Sequence, residues 1–444
     1  MDQFCVTSFG QFLMNMFTHC FIPQSFQSFM ILAHGWSLAS NRHTISTYLW
    51  LSGATSVKHF SRYYTFLSGR FFNVTDQLWV SVIAMIDQMI PGGEVIRLKI
   101  DSTIRKKSGR QIHGRDIYRN GAGTARQEYR TLLGLHFVTG IITITFGKHQ
   151  LNVPIGIELY LKEHWAKELD LPFKSRSQLA RKLIDRVAKR LPHRDIRVIV
   201  DGDYATTFFL KDLPANVHSV GRFPIDGKLY HPCDPAQHTG RGRPRLKGQC
   251  IGAPRDLMHS LGGWMPHPEE AETEIKLVTG IWHNVFPKQQ IQVVVVRRFN
   301  TDDPKKKVVE AFYTTDLRLS ANDILDEYRN RWDIEIDFRD ANAYYGLAKD
   351  QCRKYRRIVA INNFRMLMAA SRTLFCIQQL QESETLNLIR YRPWYRQKKQ
   401  LAQLDIETIN REILQAQGIF PTPCFIQDVE EITKIKHGPQ HRAA

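Results

Sequence analysis

The chain has 444 residues, room for two or three domains, and its 43% hydrophobic and 23% charged residues exclude a disordered or fibrous protein. Sixty-one Lys and Arg against 43 Asp and Glu leave a net charge of +18, which points to a large polyanion, nucleic acid above all, as the partner. Seven cysteines at scattered positions, an odd count without paired spacing, exclude a disulfide framework and fit a reducing, cytoplasmic setting.

Residues 1–90 read as helices, with mixed apolar and aromatic stretches in FGQFLMNMF, HTISTYLWLSG and DQLWVSVIAMIDQMI. The first forty residues hold one formal charge, Asp2, yet they lack a basic n-region, and Gln11, Asn15, Pro23, Gln24 and Gln27 interrupt the apolar residues. Neither a signal peptide nor a membrane span is expected there or later in the chain. After Pro91-Gly92-Gly93 the pattern changes to short strands: VIRLKI before Asp101, TLLGLHFV at 131–138, IITITF at 141–146 and VPIGIELYL at 153–161. The segment SQLARKLIDRVAKRL carries Leu179, Leu183, Val187 and Leu191 at helical spacing and leads into a fifth strand, IRVIV, ending at Asp201. Strands around a linking helix predict a mixed α/β sheet.

Gly, Pro and His crowd residues 223–268, after which EIKLVTGIW, IQVVVV and EAFYTTD read as strands, so 223–318 is expected to be a β-rich insertion. A long helix is predicted from the N-cap Ser320 through SANDILDEYRNRWDIEIDFRDANAYYG. Apolar helix follows in NNFRMLMAASRTLFCIQQL, and 381–444 form a basic segment ending in the tail KHGPQHRAA.

Three carboxylates carry the chemistry. Asp101 and Asp201 each stand at the carboxyl end of a hydrophobic strand, where sheets present side chains to ligands, although either one alone reads more readily as a turn or cap residue. Tyr328, Arg331 and Glu335 stand at i, i+3 and i+7, within about a 60° arc of one helix face. Asp333, Asp337 and Asp340 fall on the opposite half, expected to be solvated, whereas Glu335 falls near Trp332 and Phe338. A carboxylate on that half needs a cation or a metal ion as partner.

The segments IDSTIRKKSG, VIVDGDYA and YRNRWDIEIDFRDAN resemble the three catalytic segments of bacterial insertion-sequence transposases of the DDE type, in particular the IS-four group with its Tyr-Arg-Glu-Lys signature. The likeness covers roughly residues 30–375. It implies a ribonuclease H-like mixed sheet at 91–222 and 319–380, interrupted by the β-rich insertion and flanked by helical N- and C-terminal regions, with residues 1–90 binding DNA. Residue by residue it implies that Asp101, Asp201 and Glu335 are ligands of two Mg²⁺ or Mn²⁺ ions, and that Tyr328 and Arg331 contact the DNA backbone near the scissile phosphate. The implied activity is transposition: cleavage at the terminal inverted repeats of an element, then attack of the freed 3′-OH on target DNA, with a hairpin at the excised end. The implied partners are double-stranded DNA and a second copy of the chain, in the nucleoid of a bacterial cytoplasm. One position departs, because the signature lysine falls on Asn342 and the next lysine is Lys349. That bears on a phosphate or terminal-base contact and leaves the carboxylates untouched. The competing readings are a nuclease on the same fold that never joins strands, and an inactive DNA-binding protein derived from a transposase.

Cations gather beside the first aspartate: Arg105, Lys106, Lys107, Arg110, Arg115, Arg119, Arg126 and Arg130, expected as phosphate contacts. Gly240-Arg241-Gly242-Arg243-Pro244-Arg245 resembles an AT-hook, which places Arg241, Arg243 and Arg245 in an A·T minor groove or on phosphates as a flexible basic loop. His231, Cys233, His238 and Cys250 match no closed zinc-site spacing, and GAGT at 121–124 is too short for a nucleotide loop.

Overall fold

A computed structural model describes residues 5–40, 42–119, 131–147, 149–233, 247–299, 307–382 and 401–418. The chain divides into two compact units, Met1–Leu78 with Ala343–Cys352 and Arg356–Ala444, and Trp79–Asn342 with Arg353–Tyr355. The helices are α1 (Ser8–Phe17), α2 (Pro23–Leu38), α3 (Ile45–Leu51), α4 (Ser61–Phe66), α5 (Phe72–Met89), α6 (Glu163–Glu168) and α7 (Arg176–Arg190). They continue with α8 (Thr207–Leu210), α9 (Pro254–Leu257), α10 (Ala321–Arg329), α11 (Asp333–Tyr344), α12 (Tyr355–Glu382) and α13 (Gln403–Ala416). Among the described residues no helix is long and apolar enough to cross a membrane.

The described residues of the first unit are helical where the apolar stretches of 1–90 and of NNFRMLMAASRTLFCIQQL predict helices. Phe17, Phe29, Phe71 and Phe364 pack edge to face or stacked at centroid distances of 5.5 to 6.4 Å, so aromatic burial builds much of its core. Gly35 lets α2 and α3 touch: a Cβ there would lie 1.9 Å from the Tyr48 carbonyl oxygen. Arg365 is fully buried in this unit, donating to Tyr48, the His43 carbonyl and Asp350, which supplies the counter-charge a buried guanidinium needs.

The second unit is built on one sheet. Its strands are β1 (Ile96–Lys106), β2 (Asp116–Arg119), β3 (Thr131–Phe146), β4 (His149–Tyr160), β5 (Ile196–Val200) and β6 (Val217–Arg222). The later part of the chain adds β7 (Leu229–Tyr230), β8 (Cys250–Gly252), β9 (Met265–Pro266), β10 (Thr273–Trp282), β11 (Phe286–Phe299) and β12 (Lys307–Thr314). The core runs β4-β3-β1-β5-β6, antiparallel from β4 to β1 and parallel from β1 to β6. This is the mixed α/β, ribonuclease H-like sheet that the resemblance implies. The strands expected as an insertion extend this same sheet, because β12 pairs with β6 and then leads through β11 to β10.

Two segments expected as separate strands, TLLGLHFV and IITITF, form the single strand β3, which passes through Gly140 with a bulge against β4. α7 buries Leu179, Leu183 and Val187, and Leu191 at its C-cap, as the spacing predicts, and a capping box at Ser175 and Gln178 starts it. It lies close over β4 because residue 156 is glycine: with φ +154, a Cβ there would stand 2.7 Å from Leu183.

Candidate active site

β1 alternates strictly. Ile96, Leu98 and Ile100 are fully buried on one face, while Arg97, Lys99, Asp101 and Arg105 share the other. That second face meets α10 and α11 through matched charges. Arg97 Nε donates to Glu327 at 2.9 Å, Lys99 Nζ to Asp333 at 2.9 Å, and Arg331 Nη1 to Asp101 Oδ2 at 3.1 Å. Further along, the Arg105 guanidinium donates to the Phe338 carbonyl. This ladder fixes the helices in register with the strand.

Asp101 lies inside β1 rather than at its end, because Ser102, Thr103 and Ile104 continue to pair with β3. What ends beside it is the parallel pairing with β5, whose last pair is Ile100 with Val200, so Asp101 and Asp201 follow matched positions on neighbouring strands. Both carboxylates are oriented by the next amide: Ser102 N–H donates to Asp101 Oδ1 and Gly202 N–H to Asp201 Oδ1, each at 2.7 Å. Asp203 points elsewhere, is 64% exposed and pairs with Arg176 at 3.1 Å.

The third segment is not one helix. A 3-10 turn at Asn330–Trp332 separates α10 from α11. Three residues at 3.0 rather than 3.6 per turn advance the helical phase by about 60°, which redistributes the faces beyond it. Trp332 is 61% exposed, and Ile334 and Phe338 pack on Ile141. Asp340 is buried and Asp337 accepts from Asn152 at 2.7 Å, so the acids expected on a solvated half turn toward the protein. Burial pushes the Asp337 carboxyl up to about 7, against the pull of Lys99. Glu335, expected on the apolar half, has a side chain 42% exposed.

Across the break, Tyr328 and Arg331 still reach the aspartates, and Glu335 is tied to them only through Arg331. Tyr328 OH donates to Asp201 at 3.4 Å, and Arg331 Nη2 donates to Glu335 Oε1 at 3.4 Å while its Nη1 holds Asp101. Burial pushes the Asp101 carboxyl up to about 6; the Ser102 amide and Arg331 lower it, and Asp201 and Glu335 raise it again by repulsion. Three carboxylates thus repel one another around one guanidinium.

The chain matches a family model described as a DDE superfamily endonuclease over residues 35–264, just over half its length, and one described as a transposase DDE domain over residues 174–371. The chain belongs to the DDE superfamily of endonucleases. No curated protein matches it. A nuclease-type activity on DNA follows for this DDE endonuclease, and enzymes of its superfamily generally use divalent metal ions.

Among the described residues, no three His, Cys, Asp or Glu side chains stand close enough together to hold a metal ion. The donor set nevertheless suits a hard divalent cation, since Asp101, Asp201 and Glu335 offer only carboxylate oxygens and exceed their local positive charge. Arg331, drawn between Asp101 and Glu335, supplies the counter-charge in this arrangement.

Of the basic residues, Lys106 is exposed and Lys107 half-buried, while Arg105 is committed to the Phe338 carbonyl. Asn342, where the signature has lysine, is half-buried on α11. Arg126, Arg130, GAGT, His238 and the arginines Arg241, Arg243 and Arg245 lie outside the described residues. Sequence reasoning missed the ladder of Arg97 and Lys99 with Glu327 and Asp333. Its signal was present, because these charges alternate with the Ile-Leu-Ile face that had been recognised.

Proposed function

We propose that this DDE endonuclease is a cut-and-paste transposase of the IS-four type, which cuts at the terminal inverted repeats of its element and joins the freed 3′-OH to target DNA. Asp101, Asp201 and Glu335 are the proposed ligands of two Mg²⁺ or Mn²⁺ ions. The observation that carries this reading is the pairing of Asp101 and Asp201 on parallel neighbours β1 and β5, with Tyr328 and Arg331 reaching both from the segment that bears Glu335.

When bound, the ions would activate the attacking oxygen and stabilise the leaving one. The chain's own residues orient the reaction. The Ser102 and Gly202 amides fix the two aspartates. Arg331 and Tyr328, bonded to those aspartates here, are the proposed contacts to the backbone beside the scissile phosphate. Lys106, Lys107, Arg241, Arg243 and Arg245 are proposed to track flanking phosphates, with residues 1–90 as a DNA-binding region and two copies of the chain acting together on DNA.

Incubating the full chain with Mg²⁺, a DNA carrying the element ends and a target plasmid tests the reading. Joined products are expected. Cleavage without joining would establish the nuclease alternative instead, and binding without cleavage the inactive one.

A further inference from the structure

A cavity of about 530 Å³ lies at the end of the sheet remote from the carboxylates. Its walls are the chain between α8 and β6 and the turn from β10 to β11. Val217 in that wall pairs with Ile196 at the amino end of β5, whereas Asp201 follows the carboxyl end. Leu213, Pro214, Val217, Val285 and Phe286 give an apolar lining. Thr207 Oγ1 donates to the Asn284 carbonyl at 3.2 Å and joins the two walls. Arg181 donates to the carbonyls of Phe209, Lys211 and Asp212 at 3.0, 2.8 and 2.9 Å. That clamp holds Asp212 at φ +54, in the left-handed region that residues with a side chain adopt at a cost.

Walls held in this way keep the hollow open instead of letting its apolar surface collapse, and the volume falls in the roughly 300–1,000 Å³ range of sites that enclose a small ligand. The charges on it select the ligand. Lys211, Lys288 and His218 line the cavity, against Asp212 as its one lining carboxylate among the described residues. Asp212 lies 4.0 Å from Lys211 with both side chains largely exposed, a pair too weak to neutralise the cavity. Lys288 makes no ion pair with a described residue. An apolar floor beside unneutralised ammonium groups suits a molecule that carries both an apolar body and a negative charge.

We propose that this cavity binds a small amphipathic anion, an apolar body bearing one carboxylate, sulfonate or phosphate-ester group. The body packs on Val217, Val285 and Phe286, and the anion meets Lys211 and Lys288. The site is independent of the reading given to Asp101, Asp201 and Glu335. Its place in the fold gives it leverage. β12 joins β6 through the pairs Phe312 with Arg222, Tyr313 with Gly221 and Thr314 with Val220, and among the described residues no other strand pairing ties the extension to the core strands. A ligand held by both the entry to β6 and the β10–β11 turn braces that junction, so its binding stabilises the fold.

The test titrates the full chain, free of DNA, with 1-anilinonaphthalene-8-sulfonate and with N-phenyl-1-naphthylamine, which keeps the aromatic body and lacks the sulfonate. Fluorescence is expected to report a single saturable site that prefers the sulfonate about tenfold, and the sulfonate probe is expected to raise the melting temperature. Lys211→Gln combined with Lys288→Gln, both at exposed positions, should bring the sulfonate's affinity down to that of the neutral probe and leave the neutral probe within about twofold. Ala215→Trp, an exposed change that fills the cavity, should remove both. Melts of the ligand-free variants matching wild type show that they fold. Equal affinity for the two probes, or a preference that survives the double lysine change, overturns the anion site. Binding that survives Ala215→Trp overturns the cavity.

Discussion

Strands β1 and β5 carry charge at both ends, and the two ends follow opposite rules. At the amino end, Arg97 and Arg197 stand side by side in register and close on Glu327, while Arg197 and Arg318 close on Asp316. Three guanidiniums there serve two buried carboxylates. At the carboxyl end, Asp101, Asp201 and Glu335 have one guanidinium, Arg331, and one phenol, Tyr328. The carboxyls respond accordingly. Burial would raise Asp316, yet Arg318 and Arg197 hold it down to about 2, whereas burial carries Asp101 up to about 6 despite Arg331. One end is neutralised by its own residues and serves as structure. The other is short of positive charge, and a divalent cation or the reach of Arg331 has to make up the difference.

The comparison breaks most visibly at Asp101. Asp101→Asn removes a proposed ligand without disturbing the basic surface, so Mg²⁺-dependent nicking should fall by about a thousandfold or more while gel-shift affinity for DNA stays within about twofold. Wild-type nicking in the variant would remove Asp101 from the metal site. The mirror-image change is Glu327→Gln. It strands Arg97 and Arg197 beside each other, and urea unfolding should register a loss of about 3 kcal/mol, the scale of breaking a buried ion pair from one side. A loss below about 1 kcal/mol would mean that the amino end is solvated and not a structural lock.

Acid sharpens the same contrast. The folded Asp316 carboxyl titrates at about 2, below its unfolded value, so its contribution is fully present above about pH 4 and fades as pH falls through the folded value. It amounts to about 1–2 kcal/mol once solvent screening is allowed for. Thermal melts of wild type and Asp316→Asn should therefore converge as pH drops from about 5 toward about 3. A gap independent of pH would show that the carboxylate charge contributes nothing there.

Local pattern made the strands legible, and long-range pairing hid their arrangement. The alternation of Ile96, Leu98 and Ile100 marked β1 and its buried face. That β12 pairs with β6, turning an apparent insertion into an extension of the sheet, depends on contacts about 90 residues apart, which no window of periodicity contains. Residues 131–138 and 141–146 read as two strands, yet they form one, β3, with a register shift against β4 at Gly140 and Ile141. At the site, residue types and spacing named Tyr328, Arg331 and Glu335 together, while the 3-10 turn at Asn330–Trp332 could not be read from a uniformly helical pattern. That turn is why Asp340 is buried and Glu335 half-open, the reverse of the expected faces.

The smallest expected effect isolates Arg331 itself. Its guanidinium lies 3.1 Å from Asp101 and 3.4 Å from Glu335, with a side chain only 12% exposed, so it stabilises the charged carboxylates in the way a bound cation would. A divalent ion on those oxygens and the guanidinium then compete for the same negative charge. Its buried Nε has no hydrogen-bond partner, so Asp101 and Glu335 do not use all of its donors. Arg331→Gln keeps a polar side chain and deletes the charge. Calorimetric titration of the DNA-free variant with Mn²⁺ should show affinity raised about fivefold, the size of one partly screened ion pair, with Arg331→Lys closer to wild type. Asp101→Asn in the same titration should lose most of the binding, which ties the signal to this cluster. Weaker Mn²⁺ binding in Arg331→Gln would mean instead that the guanidinium gathers the carboxylates for the ion, so that the carboxyl end depends on its arginine as a scaffold in the way the amino end does.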